Sequence, residues 1–220
     1  MAVHLHALPK HRLSAKALAR WADIRSPIAS DAMNKAGTLA AAIRPIKPGY
    51  LMLGHALTVR AIAGDITPLL HGISQTKPGD ILMVDGGGYE GNAILGGNMA
   101  NEASRRGVAG LVIDGAIRDV AEIRELDIPC FTRAVNPAGP NYSYIGDVGA
   151  PISCGGTLVE SGDLVIGDDD GVTVVPRRRI DRVLTACLET LAAEAEWDRR
   201  ITAGESFTEI LDLSPMEPAP

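Results

Sequence analysis

Arg118 and Asp119 stand side by side in the segment RGVAGLVIDGAIRDVAEIREL, with Glu122 three residues further on. A guanidinium offers a planar fork of donors that suits a carboxylate or an enolate oxygen. Two carboxylates make a weak site for a hard cation, yet Mg2+ keeps most of its waters and often takes only one or two such ligands. A structural reading competes. Asp followed three residues later by Glu, ahead of an apolar-periodic segment, has the form of a capping box, and acidic side chains suit the first turn of a helix. On these residues alone the capping reading is favoured, and Asp119 could cap the helix and still hold a metal.

Gly96 and Gly97 directly precede a helix-like segment, NMANEASRR, over 98–106. A helix start exposes unpaired amides and a partial positive charge, and glycines let a ligand approach the backbone. The amides around Asn98 and Met99 are therefore candidates for a carboxylate or a phosphate, against the plainer reading of a helix start with Asn near its cap. GGGYEG at 86–91 matches the G-x-G-x-x-G pattern, and Asp114 lies about where a ribose contact would be. YEGNAIL separates those glycines from the next helix, so the stretch reads as a flexible loop after a strand. Asp168-Asp169-Asp170-Gly171 lacks the spaced ligands of a calcium loop and reads as a hairpin turn using Asp-Gly. The five histidines form no zinc pattern, and His4 and His6 read as a mobile terminus. No motif points to a covalent nucleophile.

These groups need elements to position them. Apolar runs at 81–84 and 110–113 flank the segment 98–106, which predicts a βαβ unit with neighbouring parallel strands. Both glycine turn and Arg-Asp pair then fall at the C-terminal ends of those strands, the edge where open α/β sheets gather ligands. Helices are expected over 14–24, from Ser26-Pro27 to Gly37, over 67–75 and over 119–126, with strands within 50–63 and 128–134. After 145 the pattern becomes short strands and Gly/Asp turns. Pro176 leads into a long helix with Ile180, Val183, Leu184, Cys187, Leu188 and Leu191 on one face, and the tail SPMEPAP reads as loose. The expected organisation is a single α/β domain over 1–220, with N-terminal helices at 14–37, a core at 45–176, and a C-terminal helix at 177–203 with its tail.

A net charge of −6 and the absence of a basic stripe argue against nucleic acid as a direct partner, since phosphate-backbone binding needs clustered cations. Three scattered cysteines without a CxxC fit a reduced, cytoplasmic setting. No stretch has the length and continuity of a membrane span or a signal-peptide core, so no membrane partner is expected.

Gly97, twenty residues, then Arg118-Asp119-Val120-Ala121-Glu122 resembles the G-x20-R-D-x2-E/D signature of the class II pyruvate aldolases that act on 4-hydroxy-4-methyl-2-oxoglutarate and 4-carboxy-4-hydroxy-2-oxoadipate, and of their RraA-like relatives. The likeness runs from SDAMNK near residue 30 through PGDILMVDGGG to GDDDGVTVVP. It implies a swivelling β/β/α fold, assembled as a homotrimer or homohexamer. It also implies Mg2+ or Mn2+ held by Asp119, with Glu122 acting through water, and pyruvate or its enolate held by Gly96, Gly97, Asn98, Met99 and Arg118. Arg118 and Asp119 would be catalytic. Glu194 and Glu196 are the candidates for a carboxylate reaching over from a neighbouring subunit. The implied reaction is cleavage of a 4-hydroxy-2-oxo acid to pyruvate, with oxaloacetate decarboxylation as a side activity. The alternative is an RraA-type protein that binds and inhibits a ribonuclease without catalysis. Position 97, often acidic in the aldolases, is glycine here.

Overall fold

The computed structural model describes residues 2–9, 12–217 and 219. In chain order the elements are β1 (Val3–Leu5), α1 (Ala15–Ala19), α2 (Ser26–Ala32), β2 (Arg44–Pro45), β3 (Met52–Ala61), α3 (Thr67–Gln75), β4 (Asp80–Leu95), α4 (Gly97–Arg105) and β5 (Gly110–Ile117). They continue with α5 (Val120–Glu125), β6 (Cys130–Val135), β7 (Gly146–Val148), β8 (Ile152–Cys154), β9 (Thr157–Val159), β10 (Leu164–Asp168), β11 (Gly171–Val175), α6 (Ile180–Thr202) and α7 (Phe207–Ile210).

The centre of the molecule is a parallel run, β3-β4-β5-β6, inside a nine-stranded mixed sheet. The connections between these strands carry α3, α4 and α5, as the βαβ spacing predicts. β5 is buried along its whole length, which suits its apolar composition; its one charged residue, Asp114, is buried and paired. The antiparallel hairpin β10-β11 joins the other edge of β3. Its register pairs Asp168 with Gly171, so the hairpin is present but its two turn residues are Asp169-Asp170, and Gly171 of the expected Asp-Gly turn already belongs to β11. Asp168 itself is buried and accepts from both the amide and the hydroxyl of Ser26, fastening the start of α2 to the sheet. A large aliphatic core fills the sheet and its crossover helices. A second cluster, containing Trp21, Ile28, Val183 and Leu184, packs α2 and α6 against the hairpin. No helix among the described residues is long and apolar enough to cross a membrane.

Several expectations from the sequence need correction. The helix expected over 14–24 stops at Ala19, because the chain turns there through i→i+3 hydrogen bonds and buries Trp21 and Ile24 in the second cluster. The next helix ends at Ala32, not at Gly37. Asn34 and Lys35 take left-handed backbone angles and terminate it first. GGGYEG is no free loop: β4 continues through it to Leu95, with bulges that shift the register against β5. His4 and His6 are also placed. His4 lies in β1, which pairs with β7, and the His6 ring is 2.7 Å from the Asp147 carboxylate. The C-terminal helix opens as a 3-10 turn over Arg177–Arg179, and Leu188 stays largely exposed on it. Residues 214–217 of the tail lie outside any regular element, while Pro218 and Pro220 fall outside the described residues.

Candidate active site

Two strand exits build the site. β4 ends at Leu95, and Gly96 and Gly97 turn the chain into α4. β5 ends at Ile117 beside it, and Arg118 and Asp119 follow. A backbone bond from the Arg118 amide to the Leu95 carbonyl, 2.9 Å, holds the two exits together. The first amides of α4, those of Asn98 and Met99 included, have no carbonyl within the helix to bond.

Asp119 has the position of a helix cap but does not act as one. Its backbone is left-handed (φ 57°, ψ 37°), and its side chain makes no capping bond to α5. The capping-box reading is therefore overturned. The left-handed turn instead aims the carboxylate across at α4, where Oδ2 accepts the Gly97 amide at 3.0 Å. Such a conformation costs an L-residue roughly 1–2 kcal/mol, least for Asp and Asn. It is the kind of local strain that gathers at functional sites.

The glycines matter here through close approach. A Cβ on Gly96 would lie 2.7 Å from Asp119 Oδ2 and 3.3 Å from Arg118 Nε. A Cβ on Gly97 would lie 2.2 Å from Glu122 Oε2. Successive glycines thus make room for two carboxylates and a guanidinium above the start of α4. A side chain at position 97 would meet the Glu122 carboxylate, the mobile end of that side chain.

Arg118 is not locked away. Its side chain is 43% exposed, and its Nε is 3.6 Å from Asp119 Oδ2, a loose pair. Beside them opens a cavity of about 210 Å3 whose lining includes Gly96, Gly97, Asn98, Met99, Arg118 and Asp119. The structure therefore brings together every cavity residue expected from sequence. Glu122 stands behind Gly97 and does not line the cavity. Glu194 and Glu196 lie on α6 and do not line it either. Glu196 pairs with Arg199 on the same helix.

The chemistry of the donors suits a hard divalent ion. Asp119 supplies carboxylate oxygens over Gly96 and is 39% exposed, Glu122 supplies one over Gly97, and no cluster of three or more His, Cys, Asp or Glu poised for a metal occurs among the described residues. One or two carboxylates completed by water is the Mg2+ pattern. Asp114, the ribose candidate, is committed elsewhere. It is buried, 2.6 Å from Arg133 Nε, and accepts the Gly155 amide at 2.7 Å.

The sequence reading missed the remaining walls. Ile66 and Leu70 come from the start of α3, and Pro140 and Tyr142 from the loop after β6. That loop is held by Asp65, a fully buried carboxylate that accepts from the amides of Thr67, Ser143 and Ile145 and from the Thr67 hydroxyl. Burial pushes the Asp65 carboxyl up, but these hydrogen bonds outweigh it and leave it below the ordinary carboxylate range. The run Asp65-Ile66-Thr67-Pro68 carried a local signal, an Asx turn leading into a Pro-started helix. Its long-range bonds to 143 and 145 had none.

The sequence pattern of the RraA-like family, described as Aldolase/RraA, matches residues 26–174. A protein of Halalkalibacterium halodurans, provisionally named 4-hydroxy-4-methyl-2-oxoglutarate aldolase, is 35% identical over 173 residues, covering 79% of this chain and 82% of the relative. The structure of the RNA-processing inhibitor RraA from Thermus thermophilus is 30% identical, with a TM-score of 0.65, over 70% of this chain and 93% of that one. An uncharacterized protein from Pseudomonas syringae shares the fold at a TM-score of 0.81 and 22% identity, over 93% of this chain and 96% of its own.

Proposed function

This chain belongs to the RraA-like family, Aldolase/RraA, and from that premise we propose that it is a divalent-metal-dependent lyase that cleaves a 4-hydroxy-2-oxo acid to pyruvate and also decarboxylates oxaloacetate. The observation that carries the reading is the convergence of a half-exposed Arg118, Asp119 and the first turn of α4 on one small cavity.

The chain's own groups divide the work. The amides at the start of α4 and the Arg118 guanidinium bind the 2-oxo acid. As the C3–C4 bond breaks, its electron pair passes to the 2-oxo oxygen, the C4 hydroxyl loses its proton and C4 becomes a carbonyl. The enolate then takes a proton at C3 and leaves as pyruvate. Arg118 lies where it can stabilise the negative charge that develops on that oxygen. Oxaloacetate loses CO2 and passes through the same enolate. Asp119, with Glu122 through water, would hold Mg2+ or Mn2+, which when bound supplies Lewis-acid polarisation of the 2-oxo group. In a homotrimer or homohexamer, Glu194 or Glu196 of one copy would be the residue to complete a neighbouring site.

A second reading is favoured by the likeness to the Thermus RNA-processing inhibitor: a binding protein that docks on a ribonuclease. One experiment separates them. Purified protein is incubated with oxaloacetate and Mg2+ or Mn2+, with and without chelator, and pyruvate is followed. The lyase reading expects metal-dependent turnover that falls by about 100-fold or more in Arg118→Ala and in Asp119→Ala. No turnover, together with no calorimetric binding of pyruvate or oxalate, would sink it. Ribonuclease inhibition that survives Arg118→Ala would then support the second reading.

A further inference from the structure

We propose that Asn92 and Gly139 are positioning residues for Arg118: Asn92 holds a strap of chain, 136–141, in place, and Gly139 lets that strap lie against the guanidinium and keep it aimed into the cavity. This deepens the lyase reading above and rests on it for the reaction that Arg118 serves.

Arg118 needs such a device. Its side chain is half-exposed, it pairs only loosely with Asp119, and among the described residues its guanidinium donates no hydrogen bond. A long cation left free would sample many rotamers, and each binding event would have to freeze them. Close packing takes the place of hydrogen bonds. A Cβ on Gly96 would lie 3.3 Å from Arg118 Nε and 3.5 Å from its Cγ, and a Cβ on Gly139 would lie 3.1 Å from Nη1. The side chain is thus flanked by bare backbone at its stem and again at its tip. Gly96 is fixed by the start of α4. Gly139 belongs to the loop after β6, so its place depends on whatever holds that loop. Its φ lies outside the left-handed region, so the guanidinium, not the backbone, is what a side chain at 139 would offend.

The hold comes from the bulged part of β4. Asn92 Nδ2 donates to the Gly139 carbonyl at 2.6 Å, and the Tyr89 hydroxyl donates to Asn92 Oδ1 at 3.2 Å, which turns the amide N–H toward Gly139. The Ala93 amide donates to the Ala138 carbonyl at 2.9 Å, and Asn136 Nδ2 donates to the Glu90 carbonyl at 2.8 Å. The strap is also tied at both ends. The Asn136 amide donates to the carbonyl of Ile117, the residue before Arg118, at 2.9 Å, and the Asn141 amide to the Gly64 carbonyl at 2.7 Å. The register shifts of β4 against β5 between Asp85 and Leu95 bring residues 89–93 to this loop. The GGGYEG stretch thereby acquires a use: its bulges place Tyr89 and Asn92 where they reach the strap over Arg118.

Two substitutions test the point. Asn92→Ala removes the donor to Gly139, and Gly139→Val sets a branched side chain against Nη1. Tyr89→Phe is a milder third variant, since it keeps the half-exposed ring and deletes only the bond that orients Asn92. The first readout is NMR relaxation of the Arg118 Nε–H, assigned by its loss in Arg118→Ala. Its order parameter should fall by roughly a third in Asn92→Ala and in Gly139→Val. The second is pyruvate release from oxaloacetate with Mg2+ or Mn2+. Here kcat/KM should fall roughly tenfold in those two variants and about threefold in Tyr89→Phe. Placed in Arg118→Ala, the same substitutions should change the residual kcat/KM by less than about twofold, because the group they position is gone. A loop that merely shaped the cavity would cost as much without Arg118 as with it. The inference is overturned if Arg118 is as mobile in the wild type as in the variants, or if the losses persist undiminished in Arg118→Ala. Arg118 loosened by both substitutions, with no turnover by the wild type, overturns the lyase reading and leaves the hold on the guanidinium standing.

Discussion

Asp119 Oδ2 accepts the amide of Gly97 at 3.0 Å, so the residue that precedes α5 serves the helix before it. This bond spans 22 residues and joins the exits of two parallel strands. It makes one carboxylate responsible both for the start of α4 and for the charge beside Arg118.

Those two duties can be parted by substitution. Asp119→Asn keeps an acceptor for the Gly97 amide and a side chain that tolerates the left-handed backbone, so unfolding free energy should change by less than about 0.5 kcal/mol. Metal-dependent pyruvate release should fall by about 100-fold or more, because the anionic ligand is gone. Asp119→Ala should lose activity and also about 1–2 kcal/mol in urea unfolding. Equal activity in Asp119→Asn and wild type would show that the charge is not used.

Gly97→Ala should act through Glu122. The added Cβ meets Glu122 Oε2 at 2.2 Å, and a flexible carboxylate can swing aside, so the fold should survive with a loss below about 1 kcal/mol. Activity should drop as the carboxylate moves. In a Glu122→Ala background the same Gly97→Ala change should have little further effect, which a double-mutant cycle on kcat/KM would read as coupling. Additive effects would place Glu122 outside the machinery.

Asp65 sets a pH dependence of stability. Its carboxyl is buried, and hydrogen bonds hold its folded-state value below that of the unfolded chain despite the opposing effect of burial. Its contribution is therefore fully present above the ordinary Asp value of about 3.9 and is lost as pH falls through the lower folded-state value. Urea unfolding followed from about pH 5 down to about pH 2 should show this loss. The Asp65→Asn variant, destabilised by about 2–4 kcal/mol at neutral pH, should lose less over the same acid range. Hydrogen exchange in that variant should rise first at Ser143 and Ile145, whose amides it holds. Identical acid profiles for the two proteins would remove Asp65 from the account.

The three cysteines should be silent in the folded state. All are buried, and desolvation pushes the Cys130 thiol up to about 12 and the Cys187 thiol up to about 11, with Cys154 also well above its usual value. At pH 8 a thiol reagent should label none of them within minutes, and all three after denaturation in guanidinium. Fast labelling of any one in the native protein would contradict its burial.

What the amino-acid sequence settled without coordinates was local or periodic. The βαβ unit, α3 over 67–75 and the existence of a hairpin within 168–171 are written in apolar spacing, Pro and Gly placement and turn residues, because each depends on neighbours a few positions apart. The cavity residues Gly96 to Met99, Arg118 and Asp119 were legible for the same reason: two successive strand exits in a parallel sheet must lie side by side. Tertiary structure alone decided which way Asp119 points, since its local pattern favoured a cap on α5 and a left-handed backbone turned the carboxylate to α4. It also decided that Glu122 occupies the space over Gly97, and that Leu70 and Tyr142, 72 positions apart, share one wall. Those contacts join segments distant in the chain through packing and through bonds such as Asp65 to Ser143. No periodicity records them, because the side chains that meet belong to different periods.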